Sequence, residues 1–124
     1  MSQKTILIIE DSADLADSLE DMLTVKGYLS LKATTGREGI KLALEEKPDL
    51  IILDLRLPDI DGAEIFKQIK SDTWGATAKI LIITASDFDE KSASDLGIPS
   101  EIVMHKSHSS IGSIAKRIDE ELLN

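Results

Sequence analysis

Short apolar runs alternate with amphipathic stretches along the whole chain. Thr5–Ile9 (TILII) is rich in β-branched residues and predicts a strand buried on both faces. Leu15, Leu19, Met22 and Leu23 then recur at helical spacing, and Gly27 supplies a stop. Leu29–Ala33 (LSLKA) alternates, which suits an edge strand. Ile40, Ala43 and Leu44 mark a short second helix that must end before Pro48, because a proline pushes its predecessor out of the helical region. Residues 49–54 predict the third strand, with Pro58 and Asp61-Gly62 making the loop after it. Ile65, Phe66 and Ile69 share one side of a third helix. Residues 79–83 (KILII) predict a fourth strand closing at Thr84, and the acidic residues 87–95 a weakly apolar helix. Residues 101–104 give a short fifth strand, and Ile111, Ile114, Ala115, Ile118 and Leu122 a final helix.

Strand–helix alternation repeated five times calls for an α/β fold: a doubly wound parallel sheet of five strands with helices on both faces. No repeat, linker or low-complexity segment interrupts it, so residues 1–124 are expected to form one domain. Composition refines this picture. Apolar residues make up 42% and charged residues 30%, an ordinary globular balance. A net charge of −9, spread along the chain, argues against direct nucleic-acid binding, which needs a basic surface; it leaves room for divalent cations or a basic partner. The absence of cysteine removes disulfides and thiolate metal sites and fits a cytoplasmic protein. The apolar run in MSQKTILIIED is too short for a signal-peptide core or a membrane span.

The stretch IILDLRLPDIDG ends a buried run in a carboxylate, Asp54, although an unpaired buried carboxylate is expensive. In a doubly wound sheet, ligands bind beyond the carboxyl ends of the strands. The first run ends in Glu10-Asp11, the third in Asp54, the fourth in Thr84 and the fifth in His105-Lys106. Three carboxylates, a hydroxyl and an ammonium therefore meet at one edge. Bare carboxylates repel, and a hard cation such as Mg²⁺, which takes oxygen ligands, resolves the repulsion. Lys106 and Thr84 suit an incoming anion. An aspartate in that setting is a nucleophile towards phosphorus, and the product is an acyl phosphate.

These residues resemble the response-regulator receiver domain. The matching pieces are IIEDS, LDLRLPDIDG, IITAS and VMHKS, in order, each at a strand end, and the resemblance runs from about Ile6 to Leu122. It implies a flavodoxin-like (βα)5 fold with strand order 2-1-3-4-5. It implies Asp54 as phosphoacceptor, and Mg²⁺ held by Asp11, Asp54 and the backbone carbonyl of Arg56, with Glu10 assisting through water. Thr84 becomes the switch hydroxyl and Lys106 the phosphate contact. A histidine kinase or histidine phosphotransfer domain would donate the phosphoryl group, and a downstream protein would read the change. The expected function is a phosphorylation-gated binding module, not an enzyme, and without membrane attachment. The ending RIDEELLN suits a stand-alone receiver and permits one cut from a longer regulator.

Two other functions compete. A haloacid-dehalogenase-type phosphohydrolase also uses a strand-end aspartate, but wants a second aspartate two residues on, where this chain has Arg56. A non-phosphorylated scaffold receiver would not need the full set of acidic, hydroxyl and lysine residues. No P-loop or GxGxxG follows any strand.

The remaining candidates read as structural. Asp59 and Asp61 belong to the loop and the following helix start; Asp-Ser after Glu10 is also good capping chemistry. His105 and His108 read as exposed, Trp74 as the pin of its loop, and DFDEKSASD as a solvated face. Three departures from the receiver pattern gather near the fifth strand. Ser107 stands where proline usually follows the lysine, so a trans Lys106–Ser107 peptide is expected, because a cis bond without proline costs about 2.5–4 kcal/mol. Val103 occupies the usual position of the switch aromatic. The span from Gly97 to Lys106 is long and contains Pro99.

Overall fold

A computed structural model describes residues 3–84, 94–95, 97–106 and 109–123. Five parallel strands lie in the order β2-β1-β3-β4-β5. They are β1 (Thr5–Ile9), β2 (Leu29–Ala33), β3 (Leu50–Asp54), β4 (Ile80–Thr84) and β5 (Val103–His105). Four helices are present among the described residues: α1 (Ala13–Val25), α2 (Gly36–Glu46), α3 (Gly62–Ser71) and α4 (Ile111–Leu123). The doubly wound α/β architecture and its strand order are therefore as expected. Of the expected helix over 87–95, only Ser94 and Asp95 are described, and both are helical; the rest lies outside the described residues.

Alternation along each strand splits the core into two layers. Ile6, Ile8, Leu50, Ile52, Leu81, Ile83 and Met104 pack under α1 and α4. Leu7, Ile9, Leu53, Ile82 and Val103 pack under α2 and α3. The central strands are buried on both faces, which is why they read as unbroken apolar runs. β2, at the edge, keeps Leu29 half exposed, in line with its alternating pattern. Close packing also selects a small residue on α2: a Cβ on Gly39 would come 2.7 Å from Ile9.

Strand ends shift by a residue or two from the sequence reading, each for a local reason. Asp49 lies outside β3, and its carboxylate accepts from the Thr5 backbone N–H at 2.7 Å. Lys79 lies outside β4 and sends its ammonium to the Glu121 carbonyl at the end of α4. β5 begins only at Val103 because Ser100–Ile102 forms a 3₁₀ turn after Pro99. Trp74 is half-buried against the α2–α3 core and precedes another 3₁₀ turn, so it does pin its loop. No helix among the described residues is long and apolar enough to cross a membrane.

Candidate functional site

Continuing the strand alternation past the apolar runs puts Glu10, Asp54 and Lys106 on the α1–α4 side of the sheet, at its carboxyl edge. Asp54 is only 3% exposed and Glu10 2%. Both carboxylates are supplied with donors. The Arg56 backbone N–H donates to Asp54 Oδ1 at 3.0 Å, and the Ser12 backbone N–H donates to Glu10 Oε2 at 3.1 Å. Lys106 reaches across from the end of β5, with Nζ 3.1 Å from Glu10 Oε1 and 3.4 Å from Asp54 Oδ2. The Glu10 contact is the tighter of the two. Burial, followed by the hydrogen bond with Asp54, pushes the Glu10 carboxyl up to about 7. Burial works to lower Lys106, but Glu10 and Asp54 outweigh it and hold the ammonium above its ordinary range.

Asp11 is exposed, one residue past Glu10. One oxygen each from Glu10, Asp11 and Asp54 lies within 4.8 Å of the others. A Mg²⁺ with ligands at about 2.1 Å puts neighbouring oxygens about 3.0 Å apart and opposite ones about 4.2 Å, so the cluster is on the scale of such a site and would draw in around an ion. All its donors are hard oxygens, and the exposed Asp11 leaves room for the waters that Mg²⁺ retains. The donor set suits that ion. Ser12, not Glu10 or Asp11, is the N-cap of α1, accepting from the Leu15 N–H. Capping is thus done by Ser12, which leaves both neighbouring carboxylates to the acidic cluster.

The loop after β3 lines an open cavity of about 660 Å³ together with Asp11 and Thr84. Asp61 caps α3, accepting from the Ala63 N–H at 3.0 Å, and Gly62 permits a close approach, since a Cβ there would meet the Leu55 backbone at 2.3 Å. Asp59 is structural too, yet its reach is longer than the sequence suggests. Its carboxylate accepts from the Gly36 N–H at 2.7 Å and the Arg37 N–H at 3.1 Å, tying this loop to the start of α2. Those backbone donors hold the Asp59 carboxyl below its usual range. A turn-forming Asp carries no sequence signal for such a distant partner.

Thr84 closes β4, is 1% exposed, and its hydroxyl has no hydrogen-bond partner among the described residues. Val103 is half-buried against the α2–α3 core. His105, expected exposed, is half-buried: it closes β5 and pairs with Thr84 in the strand register. Lys106 is placed with the acidic residues, as the strand-end reading anticipated. The Lys106–Ser107 peptide and His108 fall on residues outside the described ones.

Comparisons with known proteins agree with this geometry. A family model described as the response regulator receiver domain matches residues 6–109. Protein PilH of Pseudomonas aeruginosa is 30% identical over 118 residues, covering 95% of this chain and 89% of that protein. The alkaline phosphatase synthesis transcriptional regulatory protein PhoP of Bacillus subtilis is 38% identical over 96 residues, or 76% of this chain. The chain matches only 39% of the length of that relative. Among solved structures, a response regulator receiver domain protein from Methanospirillum hungatei superposes with a TM-score of 0.84 at 26% identity, covering 98% of this chain and 94% of that one.

Proposed function

The chain belongs to the response regulator receiver domain family, and on that premise we propose that Asp54 accepts a phosphoryl group from a phosphohistidine. The donor is a histidine kinase or a histidine phosphotransfer domain, and a protein partner reads the result in the cytoplasm. A carboxylate oxygen of Asp54 attacks phosphorus, the P–N bond breaks, and its electron pair returns to the donor imidazole, which takes up a proton. An acyl phosphate remains on Asp54.

The roles of the other residues follow from charge. Mg²⁺, held by Asp11, Asp54 and the Arg56 backbone carbonyl with Glu10 assisting through water, would neutralise phosphoryl oxygens when bound. Lys106 stands between two buried carboxylates and can turn its ammonium to the arriving phosphoryl group. The Arg56 N–H orients the acceptor carboxylate. Thr84 offers a hydroxyl donor with no competing partner among the described residues. Phosphoryl transfer asks for this kind of positioning and neutralisation, and little covalent help.

The observation that carries the reading is Lys106 within 3.4 Å of a buried Asp54, with Glu10 and Asp11 completing an oxygen cluster. Incubation with Mg²⁺ and acetyl phosphate, followed by intact-mass measurement, tests it. A phosphate adduct on the native chain that is lost in Asp54→Asn supports the receiver role. Absence of any adduct favours a scaffold, and sustained hydrolysis of many phosphate esters favours a phosphohydrolase.

A further inference from the structure

The first N–H groups of a helix have no acceptor within it. In α2, the hydroxyl of the N-cap Thr35 takes the Glu38 N–H at 3.2 Å. The two N–H groups before it go to one carboxylate from another part of the chain. Asp59, in the loop between β3 and α3, accepts from Gly36 at 2.7 Å and from Arg37 at 3.1 Å. A negative group is also favoured at a helix N-terminus, so this contact is both directional and charge-assisted.

The same loop walls the open cavity that Asp11 and Thr84 share. Its base is closed by the Gly62 N–H, which donates to the Leu55 carbonyl at 3.1 Å. Just past that base, the Arg56 N–H holds Asp54 Oδ1 at 3.0 Å. Leu57 and Ile60 pack half-buried against the α2–α3 core, but apolar contact is non-directional and does not aim a peptide group. The hydrogen bonds of Asp59 do have direction, and they end on a helix. Pro58 fixes its own φ and restricts Leu57 before it, so the placement of Asp59 is carried back towards Arg56. Asp59 is not itself in the oxygen cluster of Glu10, Asp11 and Asp54, and its carboxylate is already engaged with α2.

We infer that Asp59 is a positioning residue for the metal site. By fastening the β3–α3 loop to the first turn of α2, it sets the aim of the Arg56 carbonyl and so the Mg²⁺ affinity of the cluster. This rests on the receiver reading, in which that carbonyl is a ligand. Groups that aim a metal ligand without touching the metal are worth about 10–100-fold in affinity.

Mg²⁺ is titrated into the ¹⁵N-labelled full chain, and binding is read from the amide signals of Asp11 and Arg56. Asp59→Asn and Asp59→Ala lose the same charge, but only the first keeps an acceptor oxygen. The Mg²⁺ dissociation constant is expected to rise about tenfold or more in Asp59→Ala and only about threefold in Asp59→Asn. An equal rise in both assigns the effect to charge alone and overturns the inference, as does a native constant in Asp59→Ala. Should Asp59→Ala not fold, Asp59→Asn is compared with the native chain at low and high salt. A difference that persists supports the inference, because a misaimed ligand is not screened; one that fades with salt overturns it. A native chain whose Asp11 and Arg56 signals ignore Mg²⁺ would instead strike the metal reading beneath it.

Discussion

At the β1–β3 half of the carboxyl edge, both buried carboxylates are met by donors; at the β4–β5 half, a buried hydroxyl is met by none of the described residues. The first half is already committed to charge. Glu10 and Asp54 are held by backbone N–H groups and by a lysine brought from another strand, so their positions are set before any ligand arrives. The second half ends in β5, a strand of only three residues, and the Thr84 hydroxyl there has no hydrogen-bond partner among the described residues. Chemistry needs preorganisation, and signalling needs something free to move. On the proposed function, those tasks would fall at opposite ends of the edge.

Removing the cation at the committed end should have the largest effect on stability. Lys106→Ala leaves Glu10 and Asp54 facing each other, and breaking a buried ion pair costs about 3–5 kcal/mol. Lys106 is 35% exposed, so a loss of about 1–3 kcal/mol is expected in urea melts at pH 8 without metal. At pH 5 the loss should shrink, because Glu10 then carries a proton. An equal loss at both pH values would mean that Glu10 is not the partner that matters.

Next comes the pH dependence of the metal-free native chain. The folded Glu10 carboxyl titrates near 7, above its ordinary 4.5, so the fold holds a proton there that the unfolded chain releases. Its contribution is complete below pH 4.5 and is lost as pH rises through about 7. Thermal melts should therefore show native stability falling by about 1–3 kcal/mol across that window relative to Glu10→Gln. Mg²⁺ at ten times its dissociation constant should restore about 1.4 kcal/mol at pH 8. A parallel pH profile in the two proteins would show that the committed end is less tightly coupled than its geometry indicates.

The smallest effect belongs to the other end. Thr84→Val replaces a hydroxyl that has no partner among the described residues by a methyl of the same shape, and stability should change by less than about 1 kcal/mol or rise slightly. A loss above about 1.5 kcal/mol would reveal a partner for Thr84 and erase the contrast between the halves.

Much of this was legible in the sequence because it is written in local pattern. Three continuous apolar runs signal strands buried on both faces, and a carboxylate that terminates such a run is out of place unless a ligand needs it. That reasoning locates Asp54, Asp11, Thr84 and Lys106 without coordinates. What stayed hidden depends on register and long-range packing. That Lys106 pairs more tightly with Glu10 than with Asp54 follows from how β5 meets the sheet, and no spacing encodes it. Asp59 looked like turn chemistry because its partners, Gly36 and Arg37, are far away in sequence. His105 looked like a surface residue beside Lys106, and only the β4–β5 ladder puts it against Thr84.

A crystal structure of the full chain with Mg²⁺ and beryllofluoride tests the division of the edge most directly. The analogue is expected on Asp54, with the backbone donors of Glu10 and Asp54 unchanged and the displacements concentrated at Thr84. A filled site in which Glu10 and Asp54 lose those donors while Thr84 stays where it is would contradict that division.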